Sequence, residues 1–439
     1  MEKFVGREKE LKFLKEKYNS EKSEFIIIYG RRRLGKTKLL QESIKNNKNS
    51  LYFLLTKETP EINLIRFKDI LSKVLNNSLL NDIIANSWEE YFSKIKDLLP
   101  EDFTIIFDEI PYLFSQNKSI ISQFQKIYDE YLLNKKINLI LCGSSISIMD
   151  EISSYSSPLY GRRTGKINLK AFNIIETKSY LSKIKNLEEI FKYQLIFGGI
   201  PYYLKQINQD LSFEDNISNL FLSDLSIFDD EVSFLLKEEF REVRNYISIL
   251  RSISKGYNTL TRIAENSLIE RSTLSKYLIS LEKLDLISQN ISFFDKENSK
   301  KTIYKINDNF IFIWFSIFEK QKQYMINDLT KKNIISQLIP QNLGYLFEKE
   351  CKIILSNRYF KIGSFFNKEG VEVDLVCENE DKSLDVYECK FKKGINEKEE
   401  IYKLEKKLSS FPSFVKINKV SLISIDRGIT IEDLIKQKF

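Results

Sequence analysis

Short, purely apolar runs recur in the first third of the chain, each bounded by polar or glycine-containing sequence. Phe25–Tyr29, Phe103–Phe107 and Ile137–Cys142 show little polar alternation, the pattern of parallel strands buried on both faces. The stretches between them are longer and helical in spacing. Ser87-Trp88-Glu89-Glu90 has the form of a capping box opening a helix towards Leu99. Such alternation predicts, for residues 1–170, a parallel sheet with helices on both faces. From 171 to 243 the strand pattern stops. Thr177–Leu187 and Glu189–Phe197 are amphipathic and Gly198-Gly199-Ile200-Pro201 breaks them as a turn, which reads as a helical lid.

Residues 244–325 change pattern again. Ile247–Ser254, Leu260–Glu265 and Arg271–Leu284 read as helices, the third with apolar residues at Leu274, Tyr277, Leu278, Leu281 and Leu284. Ile287–Ile291 and Thr302–Ile306 read as paired strands around a charged tip. Three helices and a two-stranded wing predict a winged helix. It would offer Arg271, Ser272, Thr273, Ser275 and Lys276 on its third helix, and Lys296, Lys300 and Lys301 on its wing, to DNA. Packing against the preceding domain or a partner is the competing use. The apolar stretch Ile311–Phe318 is too short to span a bilayer and reads as a buried helix. Met1-Glu2-Lys3-Phe4 leads into charged sequence with no signal peptide, so a cytoplasmic protein without a membrane segment is expected.

Composition narrows the chemistry. The chain has 439 residues, room for several domains, and contains no histidine. That removes Ser-His-Asp triads, H-E-x-x-H metalloproteases and two-His metal sites, leaving carboxylates and hard cations such as Mg²⁺ or Mn²⁺ for any metal chemistry. Cys142, Cys351, Cys377 and Cys389 form no C-x-x-C pair and no disulfide framework. The net charge of +7 accompanies a Lys-, Ile- and Asn-rich bias of the kind AT-rich coding DNA produces. By itself it is a weak pointer to nucleic acid.

Gly30-Arg31-Arg32-Arg33-Leu34-Gly35-Lys36-Thr37 matches G-x-x-x-x-G-K-[ST] between an apolar run and a helical segment opening at Lys38. Strand, glycine loop and helix are the context of a P-loop. Its backbone N–H groups and the helix N-terminus would cradle the phosphates of a nucleoside triphosphate. Lys36 would reach the β- and γ-phosphates and Thr37 would sit on Mg²⁺. Phe103–Phe107 ends in Asp108-Glu109. Asp108 would hold the Mg²⁺ shell and Glu109 would polarise the attacking water, which favours hydrolysis over binding alone. Ile137–Cys142 ends in Gly143-Ser144-Ser145. This is either a γ-phosphate sensor, Ser144 being the candidate, or a plain turn.

A second constellation lies in residues 335–439. Gly344–Glu350 reads as the start of a helix, and Val371–Val376 and Leu384–Phe391 as two strands across a polar turn. Residues two apart in a strand share a face, so Glu388 and Lys390 point the same way and a hairpin can bring Asp374 beside them. Two carboxylates and a lysine can hold a divalent metal, Mg²⁺ or Mn²⁺, and activate water against a phosphodiester, with Glu348 completing the metal shell. The alternative is a solvated charged hairpin.

Taken together, several segments resemble the archaeal-type ATPases of the AAA+/STAND branch of P-loop NTPases, which carry a C-terminal domain of the PD-(D/E)xK nuclease-like type. They are Phe4-Val5-Gly6-Arg7-Glu8, the triple-arginine loop, Phe107–Leu113, Cys142–Ser145, Ser157–Arg163, Gly198–Leu204, and Asp308–Phe310 with Trp314-Phe315. Ile110 stands where Phe is common in that family. The resemblance implies an α/β fold: a P-loop sheet, a helical lid, a winged helix and an α/β restriction-endonuclease-like domain. It also implies that Arg162 or Arg163 meets the γ-phosphate, in cis or from a neighbouring subunit of a homo-oligomer. Gly199-Ile200-Pro201 would sense nucleotide state, and Phe4–Arg7 would lie near the adenine. The expected function is an ATPase whose nucleotide state controls DNA binding and a Mg²⁺-dependent nuclease-like domain. The alternative is a non-cleaving ATP switch that binds DNA or a protein partner, or acts as a regulator.

Overall fold

The computed structural model describes residues 4–296, 302–322 and 327–436. Lys300 and Lys301 of the expected wing lie outside the described residues. The chain divides into two compact units, Met1–Ala171 and Phe172–Phe439.

The first unit is built on five parallel strands: β1 (Phe25–Tyr29), β2 (Ser50–Leu54), β3 (Thr104–Asp108), β4 (Asn138–Gly143) and β5 (Gly165–Asn168), in the order β2-β3-β4-β1-β5. β1, β3 and β4 are buried along their whole length, which is why their sequences lack alternation. One face of the sheet packs on an aromatic core in which Phe53, Phe67, Trp88, Phe107 and Phe124 meet edge-on or tilted, with Phe67 stacked on Phe107 at 5.3 Å. Because β4 lies between β1 and β3, their C-terminal ends converge on one edge, where ligands bind in open α/β sheets.

The expected capping box is only half formed. Ser87 Oγ accepts from the Glu90 amide at 3.1 Å, but the Glu90 carboxylate takes the Asn86 amide instead of that of Ser87. The helix spans Trp88–Ile95 and stops short of Leu99.

In the second unit the expected helix Thr177–Leu187 is corrected. The chain forms Ile174–Tyr180, opened by a complete Asn173/Glu176 capping box, and then Leu187–Phe197, capped by Asn186. Asn186 accepts from the Glu188 amide and so starts a new helix where periodicity alone suggested continuity. Helices Arg244–Ser254, Leu260–Ser267 and Arg271–Lys283 are followed by antiparallel β6 (Ile287–Asn290) and β7 (Ile303–Ile306). The third helix buries Leu274, Leu278 and Leu281 and leaves Arg271, Ser272, Thr273 and Lys276 exposed. Asn309–Ile313 continues as a π-helical turn to Phe318, with Phe318 stacked on Phe221 at 4.1 Å.

The C-terminal portion begins with helix Ile339–Leu355, which starts earlier than the expected Gly344 because it continues directly from the helical segments Asp328–Asn333 and Ile334–Leu338. It is followed by β8 (Lys361–Phe366), β9 (Glu372–Glu378), β10 (Leu384–Lys390), β11 (Ile417–Ser424) and β12 (Ile429–Thr430), ordered β12-β11-β10-β9-β8. The sheet is mixed: β10 is antiparallel to β9 and parallel to β11. No helix among the described residues is long and apolar enough to cross a membrane.

Candidate active site

Between β1 and the helix Lys36–Ile44 the backbone turns through conformations that demand glycine. Gly35 has φ +85°. At Gly30 a Cβ would lie 2.4 Å from the Leu169 carbonyl oxygen, so any side chain would push β1 and the segment after β5 apart. Leu34 is buried beneath the loop, and its carbonyl accepts from the buried Arg7 guanidinium at 3.2 Å. Arg32 donates to the Tyr112 hydroxyl at 2.6 Å. Arg31 and Arg33 are half-buried, while Lys38 points outward from the first helical turn. Lys36 is buried and curls back, its ammonium donating to the Gly30 and Arg31 carbonyls at 2.8 and 2.9 Å. Burial lowers its pKa from the usual lysine value, opposed by the charges of Glu109 and Asp108.

The acidic half is delivered by β3. Asp108 is fully buried. Its Oδ1 accepts from the Glu109 amide at 3.0 Å, and its Oδ2 accepts from the Thr37 hydroxyl at 2.6 Å and from the Tyr52 hydroxyl at 2.7 Å. Tyr52 has no counterpart in the sequence reading. The apolar run Ser50–Leu54 was its available signal, but only the pairing of β2 with β3 shows where the hydroxyl goes. Glu109 has φ +58°, a left-handed conformation that costs about 1–3 kcal/mol in a non-glycine residue. Its carboxylate is held from β4: Oε1 accepts from Ser144 Oγ at 2.5 Å and Oε2 from the Ser144 amide at 3.3 Å.

These residues fit a magnesium nucleotide. A hydroxyl and a carboxylate already in contact form a hard-oxygen pair. Mg²⁺ is ordinarily held by one or two carboxylates together with waters and substrate phosphates, and does not need an all-protein cage. Accordingly, no group of three or more His, Cys, Asp or Glu able to hold a metal occurs among the described residues.

The second constellation is also assembled. Glu388 Oε1 pairs with Lys390 at 2.7 Å, and Oε2 pairs with Lys407 at 2.9 Å. Lys407, from helix Glu397–Leu408, is absent from the sequence reading. Asp374 Oδ2 accepts from the Cys389 amide at 2.8 Å. Burial, then the Glu388 charge, raises the Asp374 carboxyl to about 6. Burial, then the Asp374 charge, raises that of Glu348 to about 8. Glu348, Asp374 and Glu388 therefore feel one another's charge, but lysines engage both Glu388 oxygens and the acids form no three-residue metal group. In this arrangement a cation would reach Glu388 only after Lys390 or Lys407 gives up its oxygen.

Arg162 and Arg163 are engaged elsewhere. Arg162 Nε donates to both Asp129 oxygens, at 2.8 and 3.0 Å, and Nη1 to the Pro158 and Tyr160 carbonyls. Arg163 Nη1 donates to the Ser153 carbonyl at 3.1 Å and its guanidinium lies 5.6 Å from the centre of the Tyr160 ring. None of these partners is a residue of the glycine loop.

Comparison with known proteins agrees with the site in the first unit. Residues 4–207 match the model of an ATPase domain predominantly from Archaea. An uncharacterized protein of Methanocaldococcus jannaschii is 36% identical over 402 residues, covering 89% of this chain and 88% of that protein. An uncharacterized ATP-binding protein of the same organism is 51% identical over 45 residues, 10% of this chain and 76% of that protein. A Walker-type ATPase of Pyrococcus abyssi has the same kind of fold, with a TM-score of 0.53 at 23% identity over 72% of this chain and 96% of that one. With a glycine loop, a paired Thr37–Asp108 and a relative matching along most of its length, the chain belongs to the archaeal-type ATPase family.

Proposed function

We propose that the chain binds ATP with Mg²⁺ at residues 30–38 and hydrolyses it, and that nucleotide state controls a DNA-binding winged helix and a nuclease-like C-terminal domain. The observation that carries the ATPase part is the contact of Thr37 with Asp108 at 2.6 Å, with Glu109 next in sequence. Thr37 and Asp108 would hold the cation, which would neutralise phosphate charge when bound. Lys36, released from the Gly30 and Arg31 carbonyls, would turn to the phosphates. Glu109 would orient the attacking water, and Ser144 would keep that carboxylate in place.

The exposed Arg271, Ser272, Thr273 and Lys276, in the first two turns of the third helix, support the DNA-binding part. The convergence of Glu348, Asp374, Glu388 and Lys390 supports DNA processing by the C-terminal domain. A second reading is a non-cleaving ATP switch that binds DNA or a protein partner. The engagement of both Glu388 oxygens by Lys390 and Lys407 favours it.

Two assays on purified protein separate these readings. ATP binding that survives Lys36→Ala would remove the P-loop assignment. DNA cleavage in Mg²⁺ or Mn²⁺, with and without ATP, that disappears in Asp374→Ala would establish the processing enzyme. Intact ATPase with no cleavage of linear, branched or single-stranded DNA would establish the switch.

A further inference from the structure

Strand β2 alternates. Leu51 and Phe53 are fully buried in the aromatic core, while Tyr52 and Leu54 face the other way. In the β2–β3 register Leu54 lies beside Asp108 and Tyr52 beside Ile106. Tyr52 and Asp108 therefore project from the same face of neighbouring strands, one step apart along the diagonal. The phenol spans that step and donates to Asp108 Oδ2 at 2.7 Å, the oxygen that also accepts from Thr37 at 2.6 Å.

We propose that Tyr52 is a positioning residue of the nucleotide site, its hydroxyl fixing the Asp108 carboxylate in the orientation that receives a nucleotide-bound divalent cation. The proposal rests on the P-loop reading above. Asp108 is fully buried, and the amide, the two hydroxyls and the Cys142 thiol that donate to it are all neutral. A buried carboxylate needs such donors, and a hydroxyl bound to a carboxylate is among the stronger hydrogen bonds. The charge of the donor matters as much as its strength. A lysine in place of Tyr52 would orient Asp108 but cancel the charge that attracts the cation. A tyrosine orients it and leaves that charge intact. Tyr52 reaches the substrate only through Asp108, so it is not a catalytic residue.

The test is the affinity of the full chain for a fluorescent N-methylanthraniloyl-ATP, in Mg²⁺ and in EDTA, for the wild type and Tyr52→Phe. The Phe variant keeps the ring and removes only the hydroxyl. The expected result is unchanged affinity in EDTA, which also reports an intact fold, and an Mg²⁺-dependent gain in affinity reduced about tenfold, as for loss of one hydrogen bond to a charged group. Equal Mg²⁺-dependent gains in the two proteins would overturn the role of Tyr52 and leave the P-loop reading standing. A wild type that binds the probe with no gain from Mg²⁺ would overturn the Thr37–Asp108 cation assignment and this proposal with it.

Discussion

Ser144 grips Glu109 at both carboxylate oxygens, the hydroxyl on Oε1 at 2.5 Å and the amide on Oε2 at 3.3 Å. The grip crosses from β4 to the end of β3 and steadies a residue whose backbone is left-handed. Removing the hydroxyl frees a side chain that must aim at one water. Ser144→Ala should lower kcat about tenfold, part of the range for a positioned general base, with nucleotide Kd within about threefold of wild type. Steady-state kinetics beside equilibrium binding would check this, and a large loss of affinity with unchanged kcat would point to direct phosphate contact instead.

Glu109→Gln keeps the shape of the side chain and its reach to Ser144 but removes the negative charge. ATP should still bind, and turnover should fall at least about a hundredfold. An undiminished rate would mean that another group activates the water.

Arg162 and Asp129 form a two-point ion pair with each side chain about one-third exposed. A pair of that exposure contributes about 1 kcal/mol or less. Arg162→Ala should therefore lower Tm by about 2–4 °C and leave ATP turnover within about threefold. A loss of a thousandfold or more, the scale of an arginine acting on the γ-phosphate, would show that the side chain leaves Asp129 during the cycle.

Glu350 is buried on helix Ile339–Leu355, where Gln194 donates to its carboxyl at 3.3 Å. Burial raises its pKa above the ordinary 4.5, although the Gln194 bond and the Lys349 charge oppose the shift. The folded state thus keeps a proton that the unfolded chain releases. The resulting stability is fully present below about pH 4.5 and is lost as pH rises through the raised value. Glu350→Gln is isosteric and does not titrate, so between pH 5 and pH 8 its Tm should fall less than that of wild type. Equal falls in thermal melts at the two pH values would exclude Glu350 as a source of the pH dependence.

The residues of the candidate site in the first unit could be named from sequence because its segments are local. Gly30–Thr37 is contiguous, and Asp108-Glu109 ends an apolar run whose burial makes it a strand. What escaped was whatever depends on which segment lies next to which. Tyr52 matters only because β2 pairs with β3, and Lys407 only because its helix reaches Glu388 on β10. Helix limits failed where side-chain caps outweighed periodicity, as Asn173 and Asn186 do by opening Ile174–Tyr180 and Leu187–Phe197. The arginines after Ser157 show the opposite limit. Their resemblance to family residues suggested a role at phosphate, while in the folded chain their guanidiniums have partners that motif matching does not register.

The strand order β2-β3-β4-β1-β5 also bears on how the chain emerges from a ribosome. β1 and β3 never touch directly; each is completed by β4, and the bond from the Glu24 amide to Asn138 Oδ1 spans 114 residues. Until β4 is synthesised, two buried, largely apolar strands have open edges and the loop between Gly30 and Lys36 has no complete sheet to brace it. Contacts that distant make folding slow and leave sticky edges exposed. A ribosome stalled before residue 138 would carry a nascent chain lacking β4 and prone to aggregate, whereas one stalled well beyond residue 168 would carry every strand of the first sheet.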